Sequence, residues 1–126
     1  MNADDFVSAQ DQVWPSVLAE LRAGRKTSHW MWFVFPQLAG LGRSPMSRRY
    51  ALADEDEARE FYAHPVLGPR LRECCELLLT HTGLSAFDIF GGIDAMKLRS
   101  SMELFAEAGP EDPLFSEVLR RYGRET

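Results

Sequence analysis

The side chains of this sequence with most chemical potential lie between positions 94 and 101, where the apolar residues have helical periodicity. Asp94, Lys97 and Ser101 are three and four residues apart, so a helix places them on one face with Ser100 beside them. A lysine and hydroxyl groups on one face can hold a phosphate or a carboxylate, and an aspartate can orient the lysine. The structural alternative is a capping aspartate, a solvated lysine and two serines that allow close helix packing. The spacing alone favours that alternative.

A glycine-rich segment from Gly40 to Ser44 is the second candidate site. Gly40 and Gly42 mark a loop, and Ser44 followed by Pro45 is typical of a helix start. Free backbone N–H groups at such a start, together with the charge of Arg43, can bind an anion. The spacing matches neither a Walker motif nor a dinucleotide-binding motif. A plain loop is the more frequent explanation for two glycines.

An aromatic run from Trp30 to Phe35 is flanked by the polar residues His29 and Gln37. Trp30 and Trp32 point in different directions, so one can face the core while the other forms an aromatic wall for a ring such as a nucleobase. His29 is the candidate catalytic acid–base residue, because a helix start disfavours the charged imidazolium. Core packing of both tryptophans and a capping or hydrogen-bonding role for His29 are the structural alternatives.

Histidine and cysteine spacing gives no support for a metal or a cofactor. The histidines at 29, 64 and 81 are isolated, and Cys74 and Cys75 are adjacent. Neighbouring cysteines on a helix cannot form an ordinary disulfide, so we interpret them as buried, reduced thiols. With no signal peptide and no apolar run long enough to span a bilayer, we expect a cytoplasmic protein that does not bind membranes.

Composition and charge limit the class of protein further. The chain has 126 residues, of which 45% are hydrophobic, enough for one domain with a real core and no stabilising metal or disulfide. The 14 basic and 19 acidic residues give a net charge of −5. An acidic balance makes general nucleic-acid binding improbable, although one local anion site remains compatible with it. Oligomeric state is not predicted.

The elements that must position these side chains are predicted to be helices. Apolar residues from Phe6 to Leu21 recur at steps of three and four, which indicates a helix capped by Asp4 or Asp5. Pro15 is expected to kink or split this helix. The aromatic run could be a buried strand by pattern alone, but the sequence offers it no partner strands. We therefore predict a short, buried central helix that begins at Ser28 and stops before Pro36.

Caps and stops indicate the remaining helices, and the last of them contains Phe115, Val118 and Leu119. The predicted elements are the end of the first helix at Gly24, a turn after Ser44, a helix from Asp54 to His64, a helix from Gly68 to Gly83, a turn from Ser85 to Gly91, and a helix from Asp94 to Ala108. The sequence thus predicts a compact, multi-helical all-α domain over residues 1–126.

Nearly the whole chain resembles one known family. The similarity is carried by long motifs: KTSHWMWFVFPQL at 26–38, GLGRS at 40–44, HPVLG at 64–68 with Arg70-Leu71, Phe90-Gly91, and DAMKLRSSM at 94–102. These are similar to the bacterial domain-of-unknown-function family 1810. The resemblance implies a compact all-α fold and no particular activity. Family members usually continue past the final helix, so we expect the closing element to be missing after residue 123 or replaced by a partner.

Two functions of different classes remain open. In the first, the domain binds a small phosphate- or carboxylate-bearing molecule, nucleotide-like molecules included, in a pocket between the aromatic helix and the helix that begins at Asp94. In the second, it is a protein-interaction or structural module with no ligand chemistry. We favour the first, because polar residues are interleaved with apolar ones in both motifs, namely His29, Gln37, Lys97, Ser100 and Ser101. Burying them without partners would cost about 1–3 kcal/mol each, so they must face partners, water or a ligand. His29 and Lys97 are then expected to line one pocket. The sequence does not decide whether the protein is an enzyme.

Overall fold

The computed structural model describes residues 1–123, which contain seven helices and no sheet. In chain order these are α1 (Ala3–Ala23), α2 (Met31–Val34), α3 (Pro45–Arg49), α4 (Glu55–Ala63), α5 (Leu67–Leu79), α6 (Ala86–Ala108) and α7 (Leu114–Tyr122). The predicted all-α fold is confirmed. The departure expected after position 123 lies outside the described residues. No helix of the described chain is long and apolar enough to cross a membrane.

The core forms where α6 packs against α4 and α7, and where α5 packs against α1, α4 and α7. A row of aromatic rings crosses it. Phe61 lies 5.3 Å from Phe6 and 5.5 Å from Phe105, and Phe105 lies 5.6 Å from Phe115, between ring centroids. Each of these buried rings removes a large apolar area from water. The row therefore joins α1, α4, α6 and α7 into one hydrophobic core.

The first helix differs from its prediction at its start, and it is not split into two helices at Pro15. Its cap is Asn2, whose side chain accepts a hydrogen bond from the Asp5 backbone N–H at 3.2 Å, so a cap at Asp4 or Asp5 is wrong. The helix also runs through Pro15 without a break. Pro15 and Asp11 are exposed, so the carbonyl that loses its donor can bond to water. Gly24 ends the helix in the left-handed conformation, as predicted.

The aromatic run forms a helix rather than a strand, but a shorter one than predicted. Only Met31–Val34 is helical, and Ser28 is not its cap. Two polar side chains of α1 replace local capping. Gln10 donates a hydrogen bond of 2.7 Å to the carbonyl of Phe33, and Glu20 binds the segment that precedes the helix. Contacts with α1 therefore stabilise this short helix.

Three of the predicted caps are confirmed, at Ser44, Asp54 and Ser85. The start of α5 is different, because the helix begins at Leu67 instead of after Gly68. The Nδ1 atom of His64 accepts hydrogen bonds from the backbone N–H groups of Val66 and Leu67, at 3.1 and 3.3 Å. His64 thus binds backbone N–H groups at the start of the helix that follows it.

The two predicted elements at 85–91 and 94–108 are both present, as two helical segments of α6 that meet at a kink. Gly91 has non-helical angles, φ 78° and ψ 171°, within Ala86–Ala108. Asp94 lies in the first turn of the second segment, where its carboxylate pairs with Lys26. Beyond α6, the buried Asp112 accepts a hydrogen bond of 2.6 Å from the Tyr62 hydroxyl and pairs with Arg72. This cluster fixes the connection to α7 against α4 and α5.

Candidate functional site

A cleft that is open to solvent lies where α2, the end of α3 and α6 meet. Parallel pairing of Leu38 with Leu52 brings together the two connecting segments that carry Gln37 and Ala51 to the cleft. Its lining residues are Met31, Trp32, Phe35, Gln37, Ser47, Tyr50, Ala51 and Lys97.

Polar groups of three cleft residues are available to a ligand. Lys97 is the charged residue among the lining side chains. Within residues 1–123, neither the side-chain amide of Gln37 nor the hydroxyl of Tyr50 has a hydrogen-bond partner. Burial, with a smaller contribution from Asp5, raises the pKa of Tyr50 against the opposing effect of Arg49, so the hydroxyl is a neutral donor. The cleft therefore offers one cation and uncharged hydrogen-bonding groups.

The apolar wall of the cleft comes from α2 and the residue after it. Met31 and Phe35 are buried, whereas Trp32 is half-buried and keeps part of its ring accessible. The Nζ atom of Lys97 lies 5.4 Å from the centroid of the Trp32 ring, a distance suited to a cation–π interaction. A charged head group and an apolar ring or chain can thus be accommodated side by side.

Behind the cleft, Lys26, Asp94 and Lys97 form what we call the charge cluster. Asp94 Oδ2 lies 2.8 Å from Lys26 Nζ, and Asp94 Oδ1 lies 3.7 Å from Lys97 Nζ. Lys26 is also fixed by a hydrogen bond of 2.6 Å to the carbonyl of Ser28, and its side chain is only 7% exposed. The Asp94 carboxylate is therefore held in place between two ammonium groups.

A second network, centred on Glu20, fixes the segment that leads into α2. One carboxylate oxygen accepts hydrogen bonds from the backbone N–H groups of Thr27 and Ser28 and from Trp30 Nε1, at 2.7, 2.9 and 3.1 Å. The other accepts from the Ser28 hydroxyl at 2.6 Å. Burial would raise the pKa of Glu20, but these hydrogen bonds outweigh it and lower the pKa from 4.5 to about 2. Glu20 was not among the residues predicted to form a site.

Of the residues predicted to bind a ligand, three line the cleft, namely Trp32, Gln37 and Lys97. Asp94 stands directly behind Lys97. Trp30 cannot form a wall in this structure, because it is fully buried and its indole N–H bonds to Glu20. The tryptophans do diverge as predicted, with Trp30 in the core and Trp32 at the cleft.

The two serines beside Lys97 do not line the cleft either. Ser101 is fully buried in the core, and its hydroxyl has no hydrogen-bond partner in the described part of the chain. Ser100 is half-buried. A helix turns by about 100° per residue, so side chains three and four residues apart do not point in the same direction. Lys97 can therefore line the cleft while Ser101 lies in the core.

His29, Arg43 and Ser44 are exposed and lie outside the cleft lining. The expectation that His29 and Lys97 line one pocket is therefore not met. Burial of the adjacent Trp30 leaves His29 pointing to solvent. Ser44 caps α3 by accepting a hydrogen bond from the Ser47 backbone N–H at 3.1 Å. Across residues 1–123, no group of three or more His, Cys, Asp or Glu side chains is arranged to hold a metal ion.

Sequence analysis also missed Ser47 and Tyr50, which line the cleft opposite Trp32. Both belong to the turn that the Ser44 cap predicted, so their local structure was foreseeable. Their position beside α2 depends on the backbone pairing of Leu38 with Leu52, in which Leu52 N–H donates to the Gln37 carbonyl at 3.0 Å. No local pattern in the sequence signals that pairing.

Comparisons with known proteins place the chain in a family. A family model described as "Protein of unknown function (DUF1810)" matches residues 1–126, so the chain belongs to that family. Among solved structures, it is similar to the crystal structure of the conserved hypothetical protein Rv1873 from Mycobacterium tuberculosis, with 50% sequence identity and a TM-score of 0.94. That match covers 96% of this chain and 86% of the other. No curated protein matches the chain.

Proposed function

We propose that this member of the family binds a small anionic molecule, bearing a carboxylate or a phosphate, in the cleft beside Lys97. One observation carries the proposal: an ammonium group borders an apolar cleft in which two further polar groups, the Gln37 amide and the Tyr50 hydroxyl, lack partners among residues 1–123. Within residues 1–123, Ser101 Oγ is the only side-chain polar atom that is both buried and unpaired, so the Gln37 and Tyr50 groups remain accessible to a ligand. A bound anion would supply an acceptor for all of these donors.

The lining of the cleft narrows the class of ligand. It places one ammonium group beside an apolar wall, which suits a molecule with one charged group and an uncharged ring or short chain. We therefore propose a small organic acid or phosphate ester, and the wall formed by Met31, Trp32 and Phe35 would contact the uncharged part of the ligand.

Thermal melts with simple anions test the proposal. We expect the melting temperature of the parent protein to rise with millimolar benzoate or phenyl phosphate, since a ligand that binds only the folded state stabilises it. In Lys97→Met, which keeps the apolar stem, the stabilisation should disappear. Arg22→Met removes an exposed positive charge outside the cleft and should leave the stabilisation intact. If no anion shifts the melting temperature of the parent, the proposal is wrong.

A second candidate function is protein interaction, and one observation favours it. Phe87, Ile93 and Met96 are large apolar side chains that are mostly exposed, and they lie on either side of the Gly91 kink in α6. Exposed apolar residues that lie together often mark a contact surface. Sedimentation at rising protein concentration would detect association of two copies through them. Loss of that association in Ile93→Glu, with no anion stabilising the parent, would favour this alternative.

We also propose that the protein acts in the cytoplasm of a bacterium. Cys74 and Cys75 are free and buried, and a pair of reduced thiols suits a reducing compartment. The bacterial source of the similar crystal structure supports the second part of this proposal.

A further inference from the structure

The charged side chains around the cleft leave one net positive charge. Lys26 and Lys97 carry two positive charges and Asp94 one negative charge, so the charge cluster has one net positive charge. Arg49 stacks on Tyr50 at the far side, but its guanidinium binds both oxygens of Asp5 at 2.6 and 3.0 Å. Its charge is therefore compensated locally. A ligand in the cleft meets the equivalent of one uncompensated cation.

We infer that Asp94 is a specificity-determining residue, which makes the cleft prefer a monoanionic carboxylate to a dianionic phosphate ester. The inference rests on the proposed function, and it adds the chemical class of the ligand's head group. A carboxylate brings one negative charge, matching the net charge of the cluster. A phosphate monoester brings about 1.5 to 2 negative charges at neutral pH.

The position of Asp94 explains the preference. Its Oδ1 atom is 3.7 Å from Lys97 Nζ, so an anion that contacts Lys97 lies close to a fixed negative charge. Lys26 holds the other carboxylate oxygen at 2.8 Å, which prevents Asp94 from turning away. The cluster is mostly shielded from water, with side chains 7%, 20% and 21% exposed for Lys26, Asp94 and Lys97. Repulsion between Asp94 and a second ligand charge is therefore poorly screened.

The uncharged lining does not offset this repulsion. Gln37, Ser47 and Tyr50 can donate hydrogen bonds to a carboxylate or a phosphate alike, but they add no positive charge. The apolar wall accepts a ring in either case. Two ligands with the same ring and different head groups are therefore distinguished by the charge cluster. Within the cluster, Asp94 is the acidic residue that distinguishes them.

Benzoate and phenyl phosphate make the comparison direct, because they share a ring and differ in the head group. Calorimetric titration of the parent should give a benzoate affinity on the order of tenfold above that for phenyl phosphate. Asp94→Asn should improve phenyl phosphate binding more than benzoate binding and reduce the ratio by about the same factor. Glu107→Gln removes a negative charge from an exposed site on the same helix and should leave the ratio unchanged.

A measurement on the parent alone covers the case in which Asp94→Asn fails to fold. A phosphate monoester loses its second charge near its second pKa, about 6. Phenyl phosphate binding to the parent should therefore strengthen, relative to benzoate binding, between about pH 7.5 and about pH 5. Benzoate keeps its single charge over most of this range, so it corrects for changes in the protein itself.

The outcomes distinguish a failure of the proposed anion binding from a failure of the proposed role of Asp94. If neither compound binds the folded parent, the proposed function fails and this inference fails with it. If benzoate binds but phenyl phosphate binds as well or better, with a ratio that neither pH nor Asp94→Asn changes, the anion site stands and the role of Asp94 is overturned. A ratio that moves equally in Glu107→Gln would assign the effect to overall charge and would also overturn it.

Discussion

Lys97 and Leu98 show how sharply the environment changes from one residue to the next on α6. Lys97 is half-buried at the cleft, where its ammonium contacts Asp94 at 3.7 Å and the ring of Trp32 at 5.4 Å. Leu98, turned by about 100°, is buried in the core. Asp94 is already paired with Lys26 at 2.8 Å, so its longer contact with Lys97 adds little to folding.

We therefore expect Lys97→Ala to change the free energy of unfolding by less than about 1 kcal/mol. Leu98→Ala should cost about 2–5 kcal/mol, because it leaves a cavity in the core. Urea denaturation of the two variants measures both values, and each serves as the other's control. Equal destabilisation by the two substitutions would make Lys97 a structural residue and remove the main support for an anion site.

Glu20 is a second single residue with a distinct role, because its contribution to folding stability depends on pH. Because the pKa of Glu20 is lowered to about 2 in the folded protein, its contribution to stability is fully present above the unfolded value of 4.5. It is lost as the pH falls from 4.5 through about 2, since the unfolded chain then binds the proton first. The contribution is at most about 3 kcal/mol, and solvent around the half-buried carboxylate reduces it.

Glu20→Gln should accordingly be less stable than the parent at neutral pH, with the difference shrinking as the pH approaches about 2. Asp5, beside Arg49, and Glu57, beside the terminal amine, also have lowered pKa values. They titrate in both proteins, so the difference isolates Glu20. Urea denaturation at several pH values gives the comparison. A difference that stays constant with pH would show that the Glu20 carboxylate gains nothing from its hydrogen bonds.

At the scale of elements, the kink at Gly91 lets the two segments of α6 pack in different surroundings. Residues before Gly91 contact the segment that leads to α2, where the Ile89 carbonyl accepts a hydrogen bond of 2.7 Å from the Lys26 backbone N–H. Residues after it carry Asp94 and Lys97 to the cleft. The angles of Gly91, φ 78° and ψ 171°, belong to a region that residues with a Cβ atom hardly adopt. A glycine is therefore required at the kink.

Gly91→Ala should destabilise the protein by about 1–3 kcal/mol through backbone strain alone, because an added Cβ meets no atom within 4 Å. Gly92→Ala is the matched control. Its φ is not positive, and the new Cβ would make ordinary contacts with the Phe87 ring at 3.7 and 3.9 Å. We expect that change to be neutral or stabilising by up to about 1 kcal/mol. Thermal melts that rank the two variants the other way would contradict the role of the kink.

At the scale of the whole molecule, the two cysteines report on the integrity of the core. Cys74 and Cys75 are fully buried on α5, and Cys75 Sγ lies 3.7 Å from Met102 Sδ on α6. Burial raises the pKa of both thiols, so little reactive thiolate exists at neutral pH. The thiols become accessible and regain an ordinary pKa only when α5 separates from the rest of the protein.

A thiol reagent such as dithionitrobenzoate should thus leave the native protein unmodified and label both cysteines in guanidinium. Ser116→Cys, at an exposed position on α7, provides the positive control and should react at once while the native pair does not. The slow labelling rate of the parent should follow its global unfolding rate. Rapid reaction of Cys74 or Cys75 in the folded parent would show that the core opens locally.

Much of the fold could be predicted from the sequence by itself, because its helices begin and end through local contacts. The caps at Ser44, Asp54 and Ser85 and the stop at Gly24 each involve backbone groups within a few residues, and the periodicity of apolar residues identifies the buried faces. Some predictions failed because a distant side chain replaced a local one. Ser28 looked like a cap, but Glu20 on α1 binds it instead.

The candidate site was decided by tertiary structure. Trp30 and Trp32 are chemically alike, and only packing against α1 and α6 buries the first and leaves the second at the cleft. Asp94 was expected to cap a helix, yet its partner Lys26 comes from far earlier in the chain. Local rules cannot foresee such contacts, because they arise when the apolar faces of separate helices close on one core. The sequence determined which residues could do chemistry, and packing decided which of them meet.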